Sequence, residues 1–181
     1  MKQLLLPLIT LFMASSAYSN EPLSDVEHRL AAAVSMNDER ELGLAMADLV
    51  RLACDGNEKA ATVLGERYMS GSMEFEQSHS KALVLLRYAS HSGDPRAMPG
   101  LVLLLSRERA SQEEIEEAAM WKKIGEALQP GKVEMSLASQ AFEIARNGRD
   151  VTQGYQAAAV WIHKRKLGLS NEYASIDCSA W

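Results

Sequence analysis

Three observations predict an all-α fold built from stacked helical hairpins. Aromatic residues make up only 6% of the 181-residue chain, and its apolar content of 47% is carried largely by Ala and Leu, which favour helix over strand. Capping residues and glycine stops divide the chain from Ser24 onward into eight helix-length segments. No segment sustains the period-two alternation of a half-buried strand. The charged fraction of 24% is ordinary for a globular protein and excludes general disorder. The net charge of −5, from 19 Lys and Arg against 24 Asp and Glu, argues against a general nucleic-acid binder, which needs a basic face.

The elements follow in order. Ser24-Asp25-Val26-Glu27 has the form of a capping box and predicts a helix ending near Val34 to Met36. Asp38 to Glu41 repeats the pattern and predicts a helix to Cys54, before Asp55-Gly56. Glu58 to Ser70 follows and stops at Gly71; Ser78 to Ser92 follows and stops at Gly93. Pro95 suits the first turn of a helix reaching about Arg109, because the N–H it lacks has no partner there in any case. Ser111-Gln112-Glu113-Glu114 is another box and predicts a helix to Leu128, before Gln129-Pro130-Gly131. Val133 to Asn147 ends at Gly148, and Asp150-Val151-Thr152-Gln153 opens a last helix that ends before Gly168.

The segments pair, and the pairs repeat. Gly56-Asn57-Glu58-Lys59-Ala60 recurs 37 residues later as Gly93-Asp94-Pro95-Arg96-Ala97. An Ala three residues before a bulky residue recurs as Ala82/Leu85, Ala118/Trp121 and Ala158/Trp161, at spacings of 36 and 40. One unit upstream Ala45 falls on the small position, but Asp48 occupies the bulky one. A period of 36 to 40 in a helical chain means about four stacked antiparallel hairpins, an α-solenoid, since one hairpin cannot bury its own apolar face. The small residue lets two helices approach, and the large one fills the gap to the next.

Ala60, Leu64, Gly65, Tyr68 and Gly71, then Lys81, Ala82, Ala89 and Gly93, resemble the Sel-1-like repeat, a relative of the tetratricopeptide repeat with a longer, glycine-bearing connection. The best unit is 60–96. A second, 97–131, keeps Ala97, Leu101, Ala118 and Trp121, but reads Arg107-Glu108-Arg109 where the connection should carry glycine. A third, 135–168, keeps Ala138, Gly148, Ala158 and Trp161, and a partial unit precedes residue 56. The resemblance implies a right-handed superhelix whose concave side holds a protein partner. It implies no catalytic residues and no cofactor.

The N-terminus carries an address. Met1-Lys2-Gln3, the apolar run Leu4 to Met13, and Ala17 and Ser19 placed for a cut before Asn20 have the layout of a secretory signal peptide, residues 1–19. The run is too short to span a bilayer, which takes roughly 20 apolar residues. No cysteine marks a lipoprotein signal, and no later segment is apolar enough for a transmembrane anchor. A periplasmic or secreted repeat domain, 20–168, with a tail, 169–181, is the expectation.

Candidate chemistry is sparse. Ser78-His79-Ser80-Lys81 matches the Ser-x-x-Lys of penicillin-binding enzymes, but the companion Ser-Asp-Asn and Lys-Thr-Gly are missing. Ser78 also suits a helix cap, and Lys81 is the lysine of the repeat. His28, His79, His91 and His163 are scattered, with no His-Glu-x-x-His spacing, so no metal site is expected. Glu113, Glu114, Glu116 and Glu117 suit the N-terminal end of a helix dipole, or a basic partner. His163-Lys164-Arg165-Lys166 suits a C-terminal end, or contact with an acidic partner or anionic lipid. Tyr173 and Trp181 stand in the tail, where they either seal the stack or meet a partner.

The two cysteines, Cys54 and Cys178, leave two readings. In an oxidising compartment an even count favours a bridge. The tail from Leu169 to Asp177 reaches at most about 30 Å, however, and several hairpins at about 8–10 Å each must be crossed. The alternative is a buried Cys54 with an exposed Cys178, pairing between chains. The functional expectation is an exported protein-binding adaptor without catalysis. Alternatives are an immunity protein neutralising a secreted antibacterial toxin and, from another class, an envelope-polymer hydrolase using Ser78 and Lys81.

Overall fold

Short polar side chains start four of the eight described α-helices by accepting backbone N–H groups that the first turn leaves free. Asn57 Oδ1 accepts from Lys59 and Ala60 at 3.1 and 3.0 Å, and Ser78 Oγ accepts from Lys81 at 3.4 Å. Ser111 and Glu114 form a complete capping box. The computed structural model describes residues 22–71, 75–169 and 175–181. These fold into α1 (Leu23–Met36), α2 (Glu39–Cys54), α3 (Glu58–Ser70), α4 (His79–Ser92), α5 (Ala97–Leu105), α6 (Gln112–Leu128), α7 (Val133–Arg146) and α8 (Thr152–Lys166), with a 3₁₀ turn at Cys178–Ala180. Among the described residues there is no strand, so the chain is all-α. The expected signal peptide, residues 1–19, and Tyr173 lie outside the described residues.

Three local expectations are corrected. The Ser24–Glu27 box does not form; α1 starts at Leu23 after Pro22, and Ser24 Oγ turns to Asp25 at 3.2 Å. Only half of the Asp38–Glu41 box forms. Asp38 accepts from the Glu41 N–H at 3.0 Å, while the Glu41 carboxylate pairs with Arg29 at 2.6 Å, a stronger charged partner than a backbone N–H. The helix expected from Pro95 to about Arg109 spans only Ala97–Leu105. Ser106 caps its end, donating its N–H to the Val102 and Leu103 carbonyls, and three residues on Arg109 takes a left-handed φ of 66° that continues no helix. This is the connection in which the repeat pattern lacks its glycine.

The recurring positions form the core. Ala45, Ala82, Ala118 and Ala158 are all fully buried, as are Leu85 and Trp121, with Trp161 almost so. Asp48, the exception at the bulky position, is buried too. It binds Arg29 at 2.8 Å and Arg51 at 3.3 Å, so its charge is paired on both sides. Gly65 answers to close approach: a Cβ there would stand 2.8 Å from the Leu86 side chain, at the tight seam between α3 and α4.

Helices α1 and α2, α3 and α4, and α5 and α6 pack as pairs, and α3, α5 and α7 each lie against the pair before them. The last helix behaves differently. α8 lays its buried residues Gly154, Ala158 and Trp161 chiefly against α6. The Gly154 N–H donates to Glu116 Oε2 at 2.5 Å, so the first turns of α6 and α8 lie side by side and both helices end at the same side of the molecule. An edge-to-face ladder crosses α4, α6 and α8: His91 to Trp121 at 4.7 Å and Trp121 to Trp161 at 6.0 Å between ring centres. Each step adds about 0.5–1.5 kcal/mol beyond burial.

The tail returns to the first half of the chain. Cys54, the last residue of α2, is bridged to Cys178 across 124 residues, with Cα atoms 6.0 Å apart. The chain therefore does cover the distance that counted against a bridge. Ile176 is buried beside it, and Trp181 packs on Tyr68 with ring centres 5.5 Å apart.

Candidate functional site

Three shallow depressions share residues and run on from one another. The first, of about 300 Å³, is lined by Glu66 of α3, Arg96 and Pro99 at the start of α5, Gln129, Lys132 and Glu134. The second, of about 240 Å³, shares Gln129 and Lys132 and adds Glu126, Met135, Ser136 and Ser139. The third shares Ser136 and Ser139 and reaches Lys122, Glu143 and Ile144. Together they make one groove from α3 past α5 to the α6–α7 seam.

The charges of the groove are positioned from below. Asp94 is buried in the α4–α5 connection, where it stands in the place of Asn57 one repeat earlier. Its carboxylate accepts from the Arg96 side chain at 3.1 and 2.9 Å and from the buried Thr62 hydroxyl at 2.7 Å. Burial alone would raise this carboxyl; the hydrogen bonds from Arg96 and Thr62 outweigh it and hold Asp94 below the usual carboxylate range. The guanidinium is thereby fixed at the groove wall with half its surface still exposed. Glu66 faces it. The crowding walls push Glu66 up, Arg96 opposes that shift, and Asp94 and Glu27 of α1 reinforce it, although the carboxyl keeps contact with solvent.

Farther along, the Gln129 amide donates to the Pro95 carbonyl and ties the α6–α7 connection to the α4–α5 connection. Lys122 pairs with Glu126 at 2.9 Å and lies 3.8 Å from Glu143, while Ser139 donates to Glu126 at 2.9 Å. Lys132 is exposed and has no ion-pair partner among the described residues. The groove thus offers acids, bases and hydroxyls in turn, flanked by the exposed Val133, Leu137 and Ile144 of α7.

The candidate catalytic pair is not assembled. Ser78 Oγ caps α4 and meets Ser80 Oγ at 3.2 Å. Lys81 Nζ lies 5.0 Å from the ring centres of both Tyr68 and Trp181, held between two aromatic faces. The histidines stay apart: His79 meets Arg107 at 2.8 Å, His91 stacks on Trp121, and His28 and His163 are exposed. Among the described residues no group of three or more His, Cys, Asp or Glu is placed to hold a metal ion. Of the acid cluster, Glu114 completes its cap, Glu116 meets Gly154, and Glu117 pairs with Arg87 at 2.6 Å.

The sequence reading passed over Thr62, Glu66, Asp94, Arg96 and Lys132. Asp94 and Arg96 stood within the recurring Gly-Asp-Pro-Arg-Ala stretch, and their departure from Asn57 and Lys59 was the available signal. No helix among the described residues is long and apolar enough to cross a membrane. In comparisons with known proteins, no family model, curated sequence or solved structure matches the chain.

Proposed function

We propose that this chain is an exported adaptor, a Sel-1-like helical-repeat protein that holds a segment of a partner protein in the groove between α3 and α7. The observation that carries this reading is the continuity of the groove across successive helices, with Arg96 anchored by Asp94 at one end and, at its middle, an exposed Lys132 that has no ion-pair partner among the described residues. The buried small residues Ala45, Ala82, Ala118 and Ala158 of α2, α4, α6 and α8, with the bulky Leu85, Trp121 and Trp161 in the last three, support a four-hairpin solenoid. The Cys54–Cys178 bridge and the leader-like N-terminus support an oxidising, exported location. The partner segment carries an acid for Lys132 and a base for Glu66.

The test is a pull-down from the envelope fraction with the tagged, processed protein, beside Lys132→Glu and Glu66→Lys variants. One partner enriched by the wild type and lost from both variants, with helicity unchanged, is the expected result. Association unchanged in both variants would falsify the groove as the binding site.

A further inference from the structure

The end of the molecule at which α6 and α8 finish carries a second surface. α8 closes with four basic side chains in a row, His163, Lys164, Arg165 and Lys166. Arg165 is engaged: its guanidinium lies 5.3 Å over the Trp161 ring and donates to the Gly93 carbonyl at 3.4 Å. His163, Lys164 and Lys166 are exposed, and no acid pairs with them among the described residues. Large aliphatic side chains stand beside them. Leu167 and Leu169 are 61% and 56% exposed, and Leu128, at the neighbouring end of α6, is 39% exposed.

The helix dipole accounts for cations at this end, but not for leucines around them. The chain as a whole is acidic, at −5, so a local excess of positive charge does not follow from composition. None of the three depressions of the groove includes an α8 residue. Cations and leucines therefore sit together at the C-terminal end of α8. A planar, deformable partner with fixed negative charge satisfies both at once: phosphates meet the ammonium groups, and the leucines enter the boundary between headgroups and acyl chains.

We infer that the His163–Leu169 end docks this protein on the surface of a membrane rich in anionic phospholipid. No α8 residue lines the groove, so variants of α8 test this end apart from the groove.

The experiment is co-sedimentation of the processed, oxidised protein with two kinds of vesicle. One is phosphatidylcholine alone; the other contains roughly one-third phosphatidylglycerol. Binding to the second and not the first is expected, weakening as added salt shortens the screening length. A double charge reversal, Lys164→Glu with Lys166→Glu, lowers binding at least about tenfold, since each basic residue near such a surface contributes several-fold. Leu167→Ser with Leu169→Ser weakens binding and leaves its salt dependence in place. Both pairs are exposed, and circular dichroism checks their fold. Equal binding to both vesicles, binding to neither, or wild-type binding by the charge-reversed variant overturns the inference. Failure on vesicles with salt-sensitive capture by polyglutamate would reassign this end to an acidic protein. None of these outcomes depends on the groove variants.

Discussion

Cys54 and Cys178 are covalently joined across 124 residues, and the bridge seats Trp181 on the aromatic face of Tyr68 and over the ammonium of Lys81. The last residues of the chain thus brace α2, α3 and α4, three helices from its first half. Trp181 neither closes the far end of the stack nor stands free, because its indole N–H is satisfied by the Asp177 carbonyl at 2.8 Å and its ring is covered by Tyr68.

That brace sets the first prediction. A bridge closing so long a loop restricts the unfolded chain strongly, and losing one of this kind costs about 2–5 kcal/mol. The Cys54→Ser, Cys178→Ser double variant should be less stable by that amount in urea unfolding, with its midpoint at a lower urea concentration. An unchanged midpoint would show that the tail is held by its apolar contacts alone.

Arg109 sets the second. It adopts a left-handed φ of 66° in the α5–α6 connection, which costs an L-residue roughly 1–2 kcal/mol and glycine almost nothing. Part of that gain is offset, because glycine also loosens the unfolded chain. Arg109→Gly should therefore stabilise the protein by about 0.5–1 kcal/mol in equilibrium unfolding. A loss of stability would mean that the arginine side chain contributes more than its backbone strain removes.

His91 sets the third, through pH. Burial against Trp121 holds its imidazole below the ordinary 6.5; Glu117 opposes this and Arg87 adds to it. The unfolded chain therefore takes up a proton near 6.5 while the folded protein does not. Stability is complete above that pH and declines as pH falls below it, until the folded imidazole also titrates. Comparing urea midpoints on either side of this pH, the wild type should lose more than His91→Gln. Equal losses would remove His91 as the source.

Much of the helical layout was legible because it is local. Ser111 and Glu114, Asn57, and the glycines after α3 and α4 act within a turn or two of themselves, so their residue types announce the boundaries directly. At one of the failed boundaries a distant charge intervened. Glu41 left its box for Arg29, twelve residues back on another helix. The groove was illegible for the same reason. Its Glu66, Arg96 and Lys132 come from separate elements, and each alone reads as an ordinary exposed side chain.

The sequence by itself determined the all-α class, most helix limits and the small and bulky positions that fill the core, because capping, glycine conformation and helical period depend on neighbours in the chain. The tertiary structure decided the Cys54–Cys178 pairing, the seat of Trp181, the placing of α8 on α6, and the meeting of Glu66 with Arg96. Those relations depend on the angle and offset at which each pair of helices stacks on the last. Small differences at each step accumulate along the chain, so distances between remote residues exist only once the whole stack has formed.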